Sequence, residues 1–432
     1  MNPLRNLLSR AGAVRTRERR NDDAAEGRDQ LIDFRSLVAR YSFAEHAARA
    51  DRYFSTLDLK SPVARKPFAS PSEAAELCGG LGILLSNVLL FPGARVLDFG
   101  AGTCWMSRVL ALLGCEVTAV DVSRKALEIG ERLIRSDVLG DQLHVDFVPL
   151  EGPDLPFANG AFDRVICFDA LHHVPDQHRA IREFARVLKD GGLAALHEPG
   201  PYHSRSSQSQ YEMRTYDVIE ADVQVQALFE TARAAGFTGA EMAVFNTQAL
   251  KTDLAGFDAF LSNPVGSPAG RSFVGNTAAL LENRRTFFLY KGDVLGRMDS
   301  RSSAGLLAGI GLSANIDDRC TRFAGTVTNR GSSIWRPSFS GLGGVNIGIH
   351  LFGSDGRLIN QDYARFALSL ESVAPGQSRD VEFSVPHPPG IERFELVVDL
   401  VAKGIVWFEI CGQPALRVAV RLEEKPGVEP VT

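Results

Sequence analysis

The sequence has few cysteines and none of the spacings that would give them a task. Six of its 432 residues are cysteine (Cys78, Cys104, Cys115, Cys167, Cys320 and Cys411), with no Cys-x-x-Cys pair and no Cys/His ligand spacing. A disulfide scaffold is thereby excluded, and reduced core thiols in a cytoplasmic protein are expected. There is no excess of either charge: 47 Lys+Arg face 52 Asp+Glu, a net charge of −5. A global electrostatic grip on nucleic acid is therefore not expected, because domains that bind phosphate backbones are usually basic. No charged stretch followed by an apolar run and a small-residue cleavage site opens the sequence, so secretion is not expected. Long hydrophobic runs are lacking too. The uncharged stretch 77–94 contains Gly79, Gly80, Gly82, Ser86 and Asn87 and stops at Pro92-Gly93. A spanning helix needs about 20 mostly apolar residues, so this stretch predicts a buried helix and no transmembrane segment.

What is present is average for a globular chain of two or three domains: 45% apolar and 23% charged residues. Residues 1–27 are polar and biased, with Arg5, Arg10, Arg15, Arg17, Arg19 and Arg20 facing Glu18 alone before residue 21. They predict a solvated arm, whose short stripe of Leu4, Leu7, Leu8 and Val14 leaves a peripheral membrane contact open. Leu31, Phe34, Leu37, Val38 and Tyr41 recur at helical spacing, so one or two helices precede the core, and Pro71-Ser72-Glu73 starts the next. From residue 95, strand-like runs (95–99, 116–121, 143–149, 163–168, 193–197) alternate with helical patterns (105–113, 124–137, 177–189). A further helix at 221–235, a strand at 239–245, a looser stretch with Pro264 and Pro268, and a strand at 285–290 follow. This alternation predicts a doubly wound, mostly parallel sheet with helices on both faces. The Gly/Ser/Ala-rich stretch 292–316 reads as a linker. Between 319 and 423 seven short β-rich runs, among them 323–328, 345–352, 379–385, 394–401, 406–410 and 416–422, predict an all-β sandwich.

The chemistry is carried by Val96-Leu97-Asp98-Phe99-Gly100-Ala101-Gly102-Thr103-Cys104-Trp105, a strand, a Gly-x-Gly turn and a helix. A dinucleotide fingerprint needs a third small residue at position 105, where helix and strand pack closely, and Trp105 stands there. No Gly-Lys-Ser/Thr follows, so the turn is no P-loop. The next strand ends in Val120-Asp121, an acidic tip suited to a ribose diol. Together these favour a sulfonium nucleoside over a dinucleotide.

Residues 94–200 resemble the class I S-adenosylmethionine-dependent methyltransferases in their small-molecule branch. The resemblance rests on Val96–Gly102, on Leu155-Pro156-Phe157 leading to Phe162-Asp163, and on Ala170-Leu171-His172-His173-Val174-Pro175-Asp176 with Val187-Leu188-Lys189-Asp190-Gly191-Gly192. It implies a seven-stranded sheet, S-adenosylmethionine as cofactor, and cofactor contacts from Asp98, Gly100, Ala101, Gly102, Asp121, Val122 and Asp169. Glu151 falls where the family usually has an aspartate near the adenine amino group. The tip of the fourth strand reads Phe168-Asp169-Ala170-Leu171 instead of the Asn/Asp-Pro-Pro-Tyr of amide- and base-directed relatives. An oxygen acceptor fits better.

A hydroxyl acceptor profits from a base, and histidine has a suitable pKa. His172, His173, His178, His197 and His203 cluster within 172–203. His172, His173 and His203 are the candidate catalytic residues, with His197 and Glu198 in reserve. A divalent site from His172, His173, Glu198 and His203 has suitable ligands but no His-x-x-x-His helix, and no resident metal is expected. The polar, aromatic loop 200–216 is either an acceptor lid or a plain surface loop. In the C-terminal region, Asn329-Arg330-Gly331 before Trp335 and Lys403-Gly404 before Trp407 resemble immunoglobulin-like accessory domains of bacterial surface-polysaccharide enzymes. Trp335 and Trp407 are either sugar-stacking platforms or packing residues.

The expected organisation is an N-terminal arm with helices (1–70), a methyltransferase domain (71–293), a linker (294–311), a β-sandwich (312–424) and a tail (425–432). The expected activity is O-methylation of a sugar or surface-glycan precursor. The alternatives are a small lipid or secondary-metabolite acceptor with the sandwich as docking module, and a non-catalytic binding protein on a methyltransferase scaffold. The expected partner is a small-molecule or glycan acceptor, not nucleic acid; the oligomeric state stays open.

Overall fold

The computed structural model describes residues 31–57 and 62–422; the arginine-rich arm and the C-terminal tail lie outside the described residues. Two helices come first, α1 (Phe34–Arg40) and α2 (Phe43–Ser55). Asp33 caps α1, and a reciprocal Ser42–Glu45 capping box starts α2, satisfying backbone N–H groups that a helix start leaves open. In α3 (Pro71–Leu85) Ser70 is the cap and proline takes the first position, where its missing N–H costs nothing.

The first domain then runs β1 (Arg95–Phe99), α4 (Trp105–Leu112), β2 (Glu116–Asp121), α5 (Arg124–Arg135), β3 (Val145–Pro149), β4 (Phe162–Phe168), α6 (Gln177–Val187), β5 (Leu188–Pro199), α7 (Ser207–Tyr216), α8 (Val225–Ala234), β6 (Gly239–Met242), α9 (Leu254–Ser262), α10 (Pro268–Asn283) and β7 (Arg284–Lys291). Seven strands pair in the order β3-β2-β1-β4-β5-β7-β6, parallel except for β7, which is antiparallel to β5 and β6. Strand alternation sends Val96, Ile166, Leu193 and Ala195 to the face covered by α3 and α4. Leu97, Phe99, Val165 and Leu196 go to the face covered by α6 and α8. Both faces are dry, as a parallel sheet requires. The chain leaves β1 for β2 on one side and returns to β4 on the other, which opens a crevice beyond the C-terminal ends of β1 and β4.

Two segments differ from the reading of the sequence. Loop 200–216 contains helix α7, capped by Ser206 Oγ accepting from the Ser209 N–H at 3.0 Å. The looser stretch before β7 is the helical hairpin α9–α10, started by Asp253 and by Ser267-Pro268. Within it only Ser267 and Gly270 are buried, so the hairpin carries no inward apolar stripe to betray a helical period.

The second domain holds β8 (Ala308–Ile316), β9 (Cys320–Asn329), β10 (Val345–Gly353), β11 (Leu358–Ala367), β12 (Ser378–Pro386), β13 (Arg393–Ala402), β14 (Val406–Trp407) and β15 (Leu416–Arg421). β12-β9-β8 form one antiparallel sheet; β11-β10-β13-β14, with β15 also on β13, form the other. Phe323, Val327, Ile347, Ile349, Phe383, Leu396 and Val398 interdigitate between them. The Asn329 turn is closed by its own side chain, whose Oδ1 accepts the Gly331 N–H at 3.0 Å while Nδ2 donates to the Ser333 and Val373 carbonyls. Trp335 is 0% exposed and packs edge-on against Phe408. It is core, which removes it as a sugar platform. Trp407 is half-buried, its ring lying flat where a side chain on Gly348 would stand.

The stretch 294–311 is also not the free linker expected. Val294 packs in the core of the first domain and Met298 is buried, and Arg164 reaches the Val88 carbonyl at 2.8 Å, the Leu89 carbonyl at 2.8 Å and Met298 Sδ at 3.1 Å. Ser300 Oγ donates to the Gly343 carbonyl at 2.6 Å, and β8 already begins at Ala308. The cause is composition read without context: small residues suit close packing between two domains as well as a loose tether. A chain truncated after Ser303 should therefore be about 1.5–3 kcal/mol more stable than one truncated after Asp293, from burial of the Val294 side chain. Urea unfolding of the two shortened chains checks this; equal midpoints would put the boundary at 293.

Candidate active site

A cavity of about 480 Å³ occupies the crevice, a size ordinary for a small-molecule site. Its floor is the β1–α4 turn. Gly100 has φ +71° and a Cβ there would lie 2.3 Å from that of Ala170. A side chain is thus blocked both by backbone conformation and by the neighbouring loop. Gly102 has φ +52°, and a Cβ built on it would meet nothing nearer than Phe54 at 4.0 Å; its missing side chain is cavity space. Ala101 and Val122 also line this end.

Asp121, at the tip of β2, is nearly buried and lines the cavity. Each of its oxygens accepts one backbone N–H, from Gly102 at 2.9 Å and Ser123 at 2.8 Å. Burial raises its pKa, against those two hydrogen bonds. Asp98 is placed differently from expectation. The alternation of β1 puts it on the Val96 side, beneath α4, where it accepts from Ser107 Oγ at 2.5 Å and is absent from the cavity wall. Burial pushes its carboxyl up to about 7, with Asp121 adding to the rise and Ser107 opposing it. Asp98 therefore braces the turn from behind. Glu151 also departs from expectation: its side chain is 79% exposed and pairs with Arg124 at 2.5 Å, while Leu150 and Gly152 on either side line the cavity. The side chain turns to solvent and away from the cavity.

The opposite wall is the loop after β4. Asp169, in the left-handed region with φ +49°, lines the cavity and pairs with Arg284. Burial would raise its pKa, but Arg284 and nearby histidines hold it below the ordinary value. The loop is anchored by Glu198, fully buried on β5. Its Oε1 accepts from the Ala170 and Leu171 N–H groups at 3.0 and 2.9 Å, and its Oε2 bonds His172 Nδ1 at 2.8 Å. Burial alone would raise the Glu198 pKa, yet these bonds lower it.

Of the candidate histidines only His173 lines the cavity. Its side chain is 47% exposed, and Nδ1 bonds the Ile219 carbonyl at 2.7 Å with Glu220 Oε1 at 3.3 Å. Burial would lower its pKa, but Glu220 and the Ile219 carbonyl outweigh it and raise it. His172 is buried behind it, ring centroids 4.0 Å apart, its pKa lowered by burial and by His173. His203 stands further back, Nε2 on Glu220 Oε2 at 2.7 Å. Glu220 joins the two: burial would raise its pKa, but His173, His203 and His172 hold it down to about 2. His197, a reserve candidate, stacks on Phe168 and bonds Thr286 Oγ1 at 2.7 Å on the α3 side, away from the cavity. His178 is on α6, bonded to Thr231.

Donor sets for a cation exist. His172, His173 and Glu220 bring ligand atoms within 4.8 Å of one another, as do His350, Asp399 and Glu409 in the sandwich. In the first set hydrogen bonds already occupy Nδ1 of both histidines.

Sequence reasoning missed the roof. Tyr41, Phe43, and His46, Arg49, Ala50 and Tyr53 of α2 all line the cavity, with Glu212, Tyr216 and Asp217 from the end of α7. Asp51 fixes α2 by accepting from Ser123 Oγ at 2.7 Å and the Lys125 N–H at 3.0 Å. The available signal was the spacing of His46, Arg49, Ala50 and Tyr53, one face of a helix. Glu220, far along the chain, left no local signal.

The family model described as "Methyltransferase domain" matches residues 97–196. The methyltransferase GfsG of Streptomyces halstedii is 35% identical over 108 residues, 24% of this chain and 37% of that protein. A ubiquinone biosynthesis O-methyltransferase of Xanthomonas campestris pv. campestris is 39% identical over 106 residues, 24% of this chain and 43% of that protein. The match thus spans less than half the length of these curated relatives. Among solved structures, phosphoethanolamine N-methyltransferase 2 of Haemonchus contortus in complex with S-adenosyl-L-methionine is similar at 19% identity and a TM-score of 0.38, over 61% of this chain and 60% of that one. Residues 97–196 are thus similar to a methyltransferase domain.

The raised Asp98 carboxyl makes a stability prediction. With a folded pKa of about 7 against an ordinary 3.8, the neutral form is favoured by folding. Its stabilisation is complete below about pH 4 and is lost as pH rises through 7. Asp98→Asn removes the titration, so chemical unfolding of the variant should show a shallower fall in stability between about pH 4 and 7. An unchanged slope would mean that Asp98 is ionised throughout.

Proposed function

We propose that this chain is an S-adenosylmethionine-dependent methyltransferase that methylates a hydroxyl oxygen on a sugar or surface-glycan precursor. The observation that carries the reading is one cavity with the Gly100–Gly102 turn and Asp121 at one end and His173 at the other. The name of the Xanthomonas relative, an O-methyltransferase, supports an oxygen acceptor.

The donor set fits the cofactor. Gly102 leaves room at the turn, and Asp121, each oxygen fixed by one backbone N–H, keeps lone pairs for ribose hydroxyls. Ala101, Val122 and Asp169 are proposed as further contacts; Asp98 supports the turn and Glu151 takes no part. When bound, the cofactor supplies a methyl group already activated by its sulfonium. The chain's own task is alignment and proton removal. His173 donates Nδ1–H to the Ile219 carbonyl, which leaves Nε2 as the nitrogen able to take the acceptor's proton. Glu220 stabilises the resulting imidazolium, and His172 and His203 hold Glu220 and His173 in place. The dry helices on both sheet faces and the α2 roof limit access of water.

The sandwich is proposed to bind glycan or a partner enzyme, with Trp407 as the remaining aromatic candidate. The six free thiols support a cytoplasmic setting, and among the described residues no helix is long and apolar enough to cross a membrane. A second reading, a lipidic or other apolar acceptor with the sandwich as docking module, is favoured by the exposed Leu254, Phe257, Leu261, Val265, Phe273 and Val274 of the α9–α10 hairpin. Labelled methyl groups offered in a lysate should enter a water-soluble sugar fraction; entry into the lipid extract alone selects the second reading, and entry into neither with bound cofactor selects the scaffold.

Asp121→Ala removes charge-assisted hydrogen bonds worth roughly 1.5–3 kcal/mol each. Affinity for S-adenosylhomocysteine should fall at least tenfold by calorimetry while circular dichroism stays native; unchanged affinity in a folded variant would sink the assignment.

His173→Ala should lose roughly 10²–10⁴ in kcat with cofactor affinity kept. Glu220→Gln withdraws the main group that raises the His173 pKa. A base works when deprotonated, so the rising limb of the pH–rate profile, and the imidazole titration seen by NMR, should both move to lower pH. If neither moves, Glu220 is only structural.

A further inference from the structure

Helix α2 carries two nitrogens, on residues that line the cavity, that nothing in the protein hydrogen-bonds. His46 Nε2 and Arg49 Nε are buried and without a hydrogen-bond partner. The two residues are three apart, on one face of the helix, and both line the cavity. The Arg49 guanidinium is otherwise held in place: it lies 3.3 Å from the centre of the Tyr41 ring, and Nη1 donates to the Glu45 carbonyl at 3.3 Å. Its side chain is 16% exposed, and Asp217 Oδ2 is 3.9 Å from Nε, beyond hydrogen-bonding reach. The Asp217 side chain is itself 48% exposed and so well solvated. A guanidinium this far out of water, stacked on an aromatic face with one N–H unbonded and its carboxylate only at 3.9 Å, leaves a buried donor unsatisfied in the free protein. An anionic oxygen entering the cavity would relieve it.

The lining carries both signs, with Asp121, Asp169, Asp176, Glu183, Glu212 and Asp217 against Arg49, Lys66 and Arg179, so an anion is drawn to the Arg49 end. Glu212 lines the same cavity, but burial raises its pKa and disfavours its charge, with Glu220 adding to the rise. Glu220 is paired through Oε2 with His203 at 2.7 Å, while its Oε1 lies 3.3 Å from His173 Nδ1 without a hydrogen bond. Burial and the neighbouring Arg49 lower the His46 pKa in the free protein, so an arriving anion finds an imidazole able to gain a proton and donate it as a hydrogen bond. Lys66 adds a further cation to the cavity lining. Asp217, next to Arg49, is two residues from Ile219, whose carbonyl holds His173. The free nitrogens and the proposed base are thus neighbours, on the scale of one small molecule.

From this geometry we infer that the acceptor carries an anionic oxygen group, a carboxylate or a phosphate, and that Arg49 and His46 recognise it. The inference rests on the methyltransferase reading above and names the class of acceptor within it. A sugar bearing a phosphate or an acid group has the required chemistry. The methionine carboxylate of the cofactor has it too, and the experiment separates the two sources.

The full chain is titrated by calorimetry with S-adenosylhomocysteine, and the saturated complex is then titrated with inorganic phosphate and with acetate. The wild type should bind at least one of these anions saturably. Arg49→Gln should weaken that anion at least tenfold, His46→Gln less, and Arg49→Lys less than Arg49→Gln, with S-adenosylhomocysteine affinity within twofold of wild type. The cofactor arm also reports whether each variant is folded. No saturable anion binding to the wild type, or equal binding by Arg49→Gln, overturns the inference. So does a tenfold loss of S-adenosylhomocysteine affinity in Arg49→Gln with 5′-methylthioadenosine, which lacks the carboxylate, unaffected; that result assigns Arg49 to the cofactor. Failure of the wild type to bind S-adenosylhomocysteine would overturn the methyltransferase reading, and the inference with it.

Discussion

The buried carboxylate of Glu198 is the contact on which the candidate site depends. It comes from β5, yet it terminates the backbone of the neighbouring loop, accepting two N–H groups and the His172 ring. A carboxylate taken wholly out of water is tolerable only when its lone pairs are filled by donors of this kind. Because those donors are consecutive, the loop has little freedom left. Asp169 is set in a left-handed conformation, Ala170 is brought against Gly100, and His173 is carried to the cavity. The parallel pairing of β4 with β5, Phe168 beside His197, puts Glu198 at the right height. The sheet and the site are therefore one construction.

A second tier of contacts closes the cavity from above. α2 buries no residue completely, so its place is fixed by a few polar anchors and by the cavity-facing aromatics. Asp51 caps α5, the helix that follows the Asp121 strand, and Tyr53 meets Tyr216 of α7 edge-on. A roof held this way has fewer apolar contacts than the sheet below it, which is the usual property of elements that open to admit ligands. Asp121 and the roof share a short network: Asp121 to Ser123, Ser123 to Asp51, and Tyr53 to Tyr216.

The connecting segment contacts both domains. Arg164, deep in the first domain, spends its donors on the carbonyls of Val88 and Leu89 and touches Met298 of the connecting segment. Arg301, three residues on, lies over the Phe91 ring. The α9–α10 hairpin is the opposite case: apolar, exposed and nearly free of core contacts.

The sequence by itself determined the sheet, the Gly-x-Gly turn, the acidic tip at Asp121 and the all-β character of the second domain. Each is a local pattern: alternation along a strand, helical spacing, a turn that tolerates only small residues. Tertiary structure decided what local patterns cannot hold. Asp98 and Asp121 are both acids within one motif, yet strand alternation sends one under α4 and the other to the cavity. Glu151 and Leu150 are adjacent, and only the direction of the side chain separates the solvent from the wall. Among the clustered histidines, His173 was selected by Ile219 and Glu220, some 46 and 47 residues away. Spacing along the chain reports which face of an element a residue occupies; which group waits opposite that face is fixed only when distant segments pack.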